Sequence, residues 1–233
     1  MPDLFFDIET FAIPLSNAER VARLEAVQPP KNYKKPESIA AWIELNAEKV
    51  VEQDYRKGAL NALHGQIVSI AWAFDDGPVS CACAGSSNID SPNPDAEVLE
   101  MFFDAVHDRL YNHPDPQKNL GAIRWIGHNI IDFDLRFLKQ RAIINQVKPP
   151  APIPADVRHG VSMVFDTMRE WAGFKNRVSL NALAKAFGMS QKIMDGSAVH
   201  DLVVEAKWQK LRDYNVADVE LTRAVFNRMV KHD

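Results

Sequence analysis

The opening run Leu4-Phe5-Phe6-Asp7-Ile8-Glu9 sets two carboxylates into a short apolar segment. Its length and its phenylalanines mark residues 4–8 as a buried strand. Side chains two apart on a strand share a face, so Asp7 and Glu9 project together while Phe6 and Ile8 point the other way. Like charges on a buried strand are costly unless they are paired or bound to a cation. A divalent cation removes the conflict. So does a solvated strand end at which both acids simply leave the sheet.

Further along the chain, helical periodicity is expected over residues 16–27 and 37–63, with a lysine-bearing proline loop between them. Residues 66–74 and 78–84 read as strands joined by Asp75-Asp76-Gly77, a hairpin signal. A helix is expected over 94–111, a strand over 122–126 broken by Gly127-His128-Asn129, and a helix over 131–144. Residues 161–165 read as a strand, 180–187 as a helix ended by Gly188, and 199–230 as one long helix. Hairpin strands followed by strands alternating with helices indicate a mixed sheet covered by helices.

The length of 233 residues suits one α/β domain, or one domain with a sizeable insertion. With 46% hydrophobic and 25% charged residues the composition is that of a globular chain with its own core. Cys81 and Cys83 are too close for a disulfide and too few for a zinc site, so they are expected as thiols in a reducing compartment. No basic leader with a long apolar stretch precedes the first strand, and no uncharged apolar run of about 18 residues occurs. A soluble cytoplasmic protein that does not enter membranes is the expectation. The net charge of −4 gives no basic footprint for nucleic acid. A carboxylate site itself adds negative charge, however, and bound cations reverse the local potential.

Two further blocks carry acids at telling positions. In His128-Asn129-Ile130-Ile131-Asp132-Phe133-Asp134, Asn129 or Asp132 can cap the following helix, whereas Asp134 lies too far in to be the best cap. In the last helix Leu211, Tyr214, Asp218, Leu221 and Val225 follow one helical face. Asp218 therefore sits on an apolar stripe with Tyr214 one turn before it. Such an acid needs a basic partner, a rotated helix or a cation.

In this order the three blocks resemble the motifs of the DEDD (DnaQ-like) exonuclease superfamily. Its Asp-x-Glu motif is matched by Asp7 and Glu9, its Asn and aromatic-Asp motif by Asn129, Phe133 and Asp134, and its Tyr-x-x-x-Asp motif by Tyr214 and Asp218. The tyrosine variant is indicated, because the histidine variant would carry histidine where Asp213 stands. The chain is further similar to stand-alone exonucleases related to the proofreading domain of family B DNA polymerases. Weaker support comes from the helical segment after the first motif, from 63–68 leading into the second strand, and from 192–196 before the last helix.

The resemblance implies a ribonuclease H-like α/β fold, a mixed β-sheet flanked by α-helices, forming a single domain over 1–233 with a helical insertion at about 12–63. It implies a 3′–5′ exonuclease that hydrolyses phosphodiesters from a free 3′ end, on single-stranded DNA, releasing nucleoside 5′-monophosphates. It implies two Mg²⁺ or Mn²⁺ ions, with Asp7 bridging both, Glu9 and Asp218 completing one site and Asp134 holding the second ion; hard oxygen donors suit these cations. Tyr214 would orient the attacking water, its phenol being too weak an acid for proton abstraction at pH 7. Thr10, Asn129 and Phe133 are the implied substrate contacts. Phe11 and Phe133 are stackers or core residues; Arg136, Lys139, Arg141, Lys175 and Arg177 are phosphate contacts or a solvated face. Asp166 reads as a helix cap, and His128 and His200 as structural. Alternatives are an RNA-trimming exonuclease using the same acids, and a non-catalytic nucleic-acid-binding module. Replication or repair proteins are candidate partners.

Overall fold

The structure is a computed structural model and describes residues 1–85, 93–115, 121–157, 163–190 and 196–231. The chain forms two compact units, one of Met1–Thr10 with Ile67–Asp233 and the other of Phe11–Gln66. Residues 192–195 of the segment before the last helix and the start of the 161–165 strand lie outside the described residues.

The larger unit is built on a five-stranded sheet in the order β3-β2-β1-β4-β5. Its strands are β1 (Asp3–Ala12), β2 (Gly65–Phe74), β3 (Ser80–Cys83), β4 (Arg124–Gly127) and β5 (Val164–Asp166). β2 and β3 form an antiparallel hairpin, with Asp75 in the left-handed region at φ 52° as the turn requires. β4 runs parallel to β1 and β5 parallel to β4, in the registers Phe5↔Ile126 and Gly127↔Asp166. The C-terminal ends of these three strands therefore lie on one edge of the sheet.

Helices α3 (Pro94–Tyr111) and α8 (Trp208–Val230) cover opposite faces. On one face Phe6 packs between Phe102 of α3 and Trp125, at ring distances of 6.1 and 5.4 Å. On the other, Phe226 of α8 meets Phe5 at 5.3 Å and Phe165 at 4.8 Å, both edge-on. Such pairs add about 0.5–1.5 kcal/mol each beyond area burial. The short helices α4 (Asp134–Ile144), α5 (Thr167–Ala172), α6 (Leu180–Ala186) and α7 (Val199–Val204) complete this unit.

In the smaller unit, α1 (Asn17–Ala26) starts on a capping box between Ser16 and Glu19 and has no buried residue. Ion pairs Arg20–Glu48 and Arg23–Asp54 tie it to α2 (Pro36–Lys57). The Tyr55 hydroxyl donates to the Ala12 carbonyl at 3.1 Å, and Phe11 is buried edge-on against the Tyr55 ring. Phe11 is therefore a core residue. No helix among the described residues is long and apolar enough to cross a membrane.

Three expected helices differ in the structure; the one expected over 37–63 is α-helical only to Lys57 and passes into a 3-10 turn at Gly58–Leu60. The helix expected over 131–144 begins only at Asp134, because Asn129 turns through φ 67° and residues 129–133 form turns. Asp134 is thus the first helical residue rather than one deep in the helix, and neither Asn129 nor Asp132 caps it. The helix expected over 199–230 is two, α7 and α8. Ala206 adopts φ 51°, the Lys207 N–H returns to the Leu202 carbonyl at 2.8 Å and the Ala206 N–H to Val203 at 3.0 Å. This is a Schellman termination made without its usual glycine, so the apolar periodicity runs through it unbroken.

Arg141 belongs to the interior rather than to a phosphate-binding surface. Its Nε donates to the fully buried Asp95 at 2.8 Å, and the Ile67 N–H and Asn145 Nδ2 reach the same carboxylate at 2.9 and 2.6 Å. This cluster joins the start of α3 to the end of α4 and to β2. Asp95→Ala leaves the Arg141 charge buried without that partner, and is expected to destabilise the chain by about 3–5 kcal/mol, read from a urea denaturation midpoint.

Candidate functional site

Asp7 and Glu9 leave β1 on the same face as Phe5, the face that α8 covers. Two turns before Phe226 along α8 stands Asp218, only 5% exposed. One carboxylate oxygen from each of Asp7, Glu9 and Asp218 lies within 4.8 Å of the other two. Both elements are held in place by apolar packing beside the acids, through the Phe5–Phe226 contact.

Tyr214, one turn before Asp218 and 7% exposed, hydrogen-bonds to the Asp218 carboxylate. Burial first, and then the charges of Glu9, Asp218 and Asp7, hold its phenol far above the ordinary range. Tyr214 therefore stays protonated and serves as a donor. The rotation of α8 is also fixed from below, where Asn215 Nδ2 donates to Ser69 Oγ at 3.0 Å and Ser69 meets Cys81 Sγ at 3.2 Å. Cys81 and Cys83 are buried thiols; burial pushes Cys83 up to about 12.

Asp134 reaches the strand by another route. Along β1 the Pro2 carbonyl takes the Arg124 N–H, so even-numbered backbone groups face β4. β4 ends at Gly127. The Ile8 N–H lies beyond that end, and Asp134 Oδ1 accepts it at 3.3 Å. The carboxylate thus docks on the residue between Asp7 and Glu9. Burial raises its carboxyl to about 7, partly offset by the N–H donors of Ile8 and Asp134 itself. Gly127 allows the close approach of the turn, since a Cβ there would stand 2.1 Å from Ile130 Cγ2 and 3.0 Å from the Phe6 carbonyl.

The structure thus gathers Asp7, Glu9, Asp218 and Tyr214, and holds Asp134 against Ile8. Thr10 follows Glu9 on β1, half-buried; Asn129 and Phe133 are half-buried on the turn before α4, with Phe133 5.3 Å from the Phe137 ring. Arg136, Lys139, Lys175 and Arg177 are exposed, with Lys175 Nζ over the Phe174 ring. His128 bridges Thr167 Oγ1 at 2.9 Å and the Val178 carbonyl at 3.0 Å. Asp132 pairs with the buried Arg169, a partner that no spacing in the sequence indicated.

Asp7, Glu9 and Asp218 offer only hard carboxylate oxygens, a donor set that suits Mg²⁺ or Mn²⁺ and not a soft metal. A mixed five-stranded sheet of this order, flanked by helices, is an α/β fold of the ribonuclease H-like kind. A family B DNA polymerase from the hyperthermophilic archaeon Pyrobaculum calidifontis shares this fold, with a TM-score of 0.53 and 16% sequence identity over 98% of this chain. The chain matches 24% of that polymerase's length. Residues 60–233 match the family described as predicted 3′-5′ exonucleases related to the exonuclease domain of PolB, and the chain belongs to that family. The match starts after β1 and leaves out Asp7 and Glu9, which the fold brings to Asp218. No curated protein sequence matches the chain.

A cation held by the three carboxylates binds the folded chain alone. Millimolar Mn²⁺ is expected to raise the melting temperature by about 5 °C or more. Asp218→Asn should lose that rise without lowering the metal-free value, as followed by differential scanning fluorimetry.

Proposed function

We propose that the chain is a 3′–5′ exonuclease that shortens single-stranded DNA, with Asp7, Glu9, Asp134 and Asp218 as ligands for two divalent cations. The observation that carries this reading is the convergence of Asp7, Glu9 and Asp218 within 4.8 Å, with Tyr214 bonded to Asp218. Membership of the exonuclease family supplies the reaction and its polarity. DNA is preferred over RNA because the family is related to a DNA polymerase's exonuclease domain. The helical segment at about 12–63 is an insertion into a single exonuclease domain.

Divalent cations, when bound, neutralise the phosphate and make water a better nucleophile. The residues of the chain do the remaining work. Asp7 and Glu9 are fixed by the strand, and Asp218 by the helix that packs on it, so the ligand oxygens are positioned before substrate arrives. Tyr214, a phenol and so too weak an acid to lose its proton and serve as a base near neutral pH, orients water through its hydroxyl. Thr10, Asn129 and Phe133 contact the terminal nucleotides, Phe133 by stacking its ring on a base. Nucleoside 5′-monophosphates are the products.

Purified protein with Mn²⁺ should shorten a 5′-labelled single-stranded DNA stepwise and a matched RNA more slowly. Asp7→Ala should lower the rate at least about a hundredfold with the fold intact. Equal rates for wild type and Asp7→Ala would refute the assignment, and faster RNA cleavage would move the substrate to RNA. Tyr214→Phe is expected to lower kcat about tenfold to a hundredfold while leaving the Mn²⁺-induced stabilisation unchanged, as read from single-turnover kinetics and thermal shift together.

A further inference from the structure

We propose that Asp166 is a positioning residue for this site, setting where Asp134 meets β1; the proposal rests on the exonuclease reading above. Asp166 ends β5 and is 1% exposed. Its Oδ1 accepts the N–H groups of Asn129 at 2.9 Å, Met168 at 3.0 Å and Arg169 at 3.2 Å, and its Oδ2 accepts that of Ile131 at 3.0 Å.

Two of these donors, Met168 and Arg169, are the open N–H groups of the first turn of α5, and satisfying them is an ordinary capping duty. The other two are not. Asn129 and Ile131 belong to the turn between β4 and α4, a separate stretch of chain that no cap needs. The turn's own side chains do little to define it. Asn129 stands at φ 67°, and Phe133, at the N-cap of α4, makes no side-chain cap bond. Its shape comes from folding around the Asp166 carboxylate.

The restraint passes directly to the site. The Phe133 N–H bonds to the Asn129 carbonyl at 3.2 Å and the Leu135 N–H to the Ile130 carbonyl at 3.1 Å. Asp134 lies between these two residues, and its Oδ1 meets the Ile8 N–H at 3.3 Å. A second tie acts in the same place, because Asp132 pairs with Arg169 of the same α5 turn. The turn is thus fastened to the β5–α5 junction at residues 129, 131 and 132. Asp166 touches no reacting atom itself and acts on the reaction through this turn, which carries Asp134 together with Asn129 and Phe133.

The test is Asp166→Asn, which keeps the side-chain shape and one acceptor oxygen but gives up the other. On a single-stranded 5′-labelled DNA with Mn²⁺, kcat should fall about tenfold to a hundredfold, the loss expected of an ångström-scale misplacement. A rise in KM beside the loss of kcat would read the Asn129 and Phe133 contacts that the same turn carries. The Mn²⁺-induced thermal shift, which reads the Asp7, Glu9 and Asp218 group, should persist. Wild-type kcat in folded Asp166→Asn overturns the proposal, as does a thermal shift lost in parallel with kcat. If Asp166→Asn does not fold, Asp132→Ala decides with the same readouts: its side chain is 38% exposed, so its removal opens no core cavity. A kcat decrease there with the Mn²⁺-induced shift kept supports the positioning role, and wild-type kcat overturns it. An inactive wild-type chain refutes the exonuclease reading itself, whereas inactive Asp7→Ala beside fully active Asp166→Asn refutes this proposal alone.

Discussion

Phe5 and Asp7 leave β1 on one face, and the same helix has to serve both. α8 does so by placing Phe226 against Phe5 and Asp218 against Asp7, two turns apart on one stripe. The apolar contact holds the helix at a distance that the acidic contact alone would oppose. Three carboxylates in a half-buried space repel, and dispersion and burial from the aromatic pairs keep them together. The site's geometry is thus a consequence of the core packing beside it.

The fourth acid is handled differently. Asp134 is not pressed into the group by packing but docks on the strand's own backbone, at Ile8, where β4 has ended and an N–H would otherwise be left over. A strand that outruns its neighbour leaves such donors open, and a buried donor requires an acceptor. The carboxylate satisfies that need, and burial raises its affinity for a proton. A cation nearby would reverse this and favour the charged form. The same logic, applied one strand further out, gathers four N–H groups on Asp166.

Much of this was legible in the residues. The Asp7/Glu9 pair follows from strand alternation, and the Tyr214/Asp218 pair from helical spacing, because both are local periodicities. The Asp75-Asp76-Gly77 turn and the start of α3 at Pro94 were equally readable. The start of α4 was not, because the positive φ of Asn129 carries no periodic signal. The break at Ala206 was hidden for a similar reason: the Schellman closure there uses alanine, so no glycine announces it. Arg141 read as a surface cation because its partner Asp95 lies 46 residues away in sequence.

The sequence by itself determined which side chains share a face of β1 and which share a stripe of α8, since those depend only on the repeat of a strand or helix. Only the tertiary structure decided that the two faces meet, that Asp134 docks on the Ile8 N–H, and that Asp166 serves two segments at once. Those outcomes depend on strand order and on β4 ending where β1 continues. They are contacts between distant parts of the chain, which close only when the whole sheet is assembled.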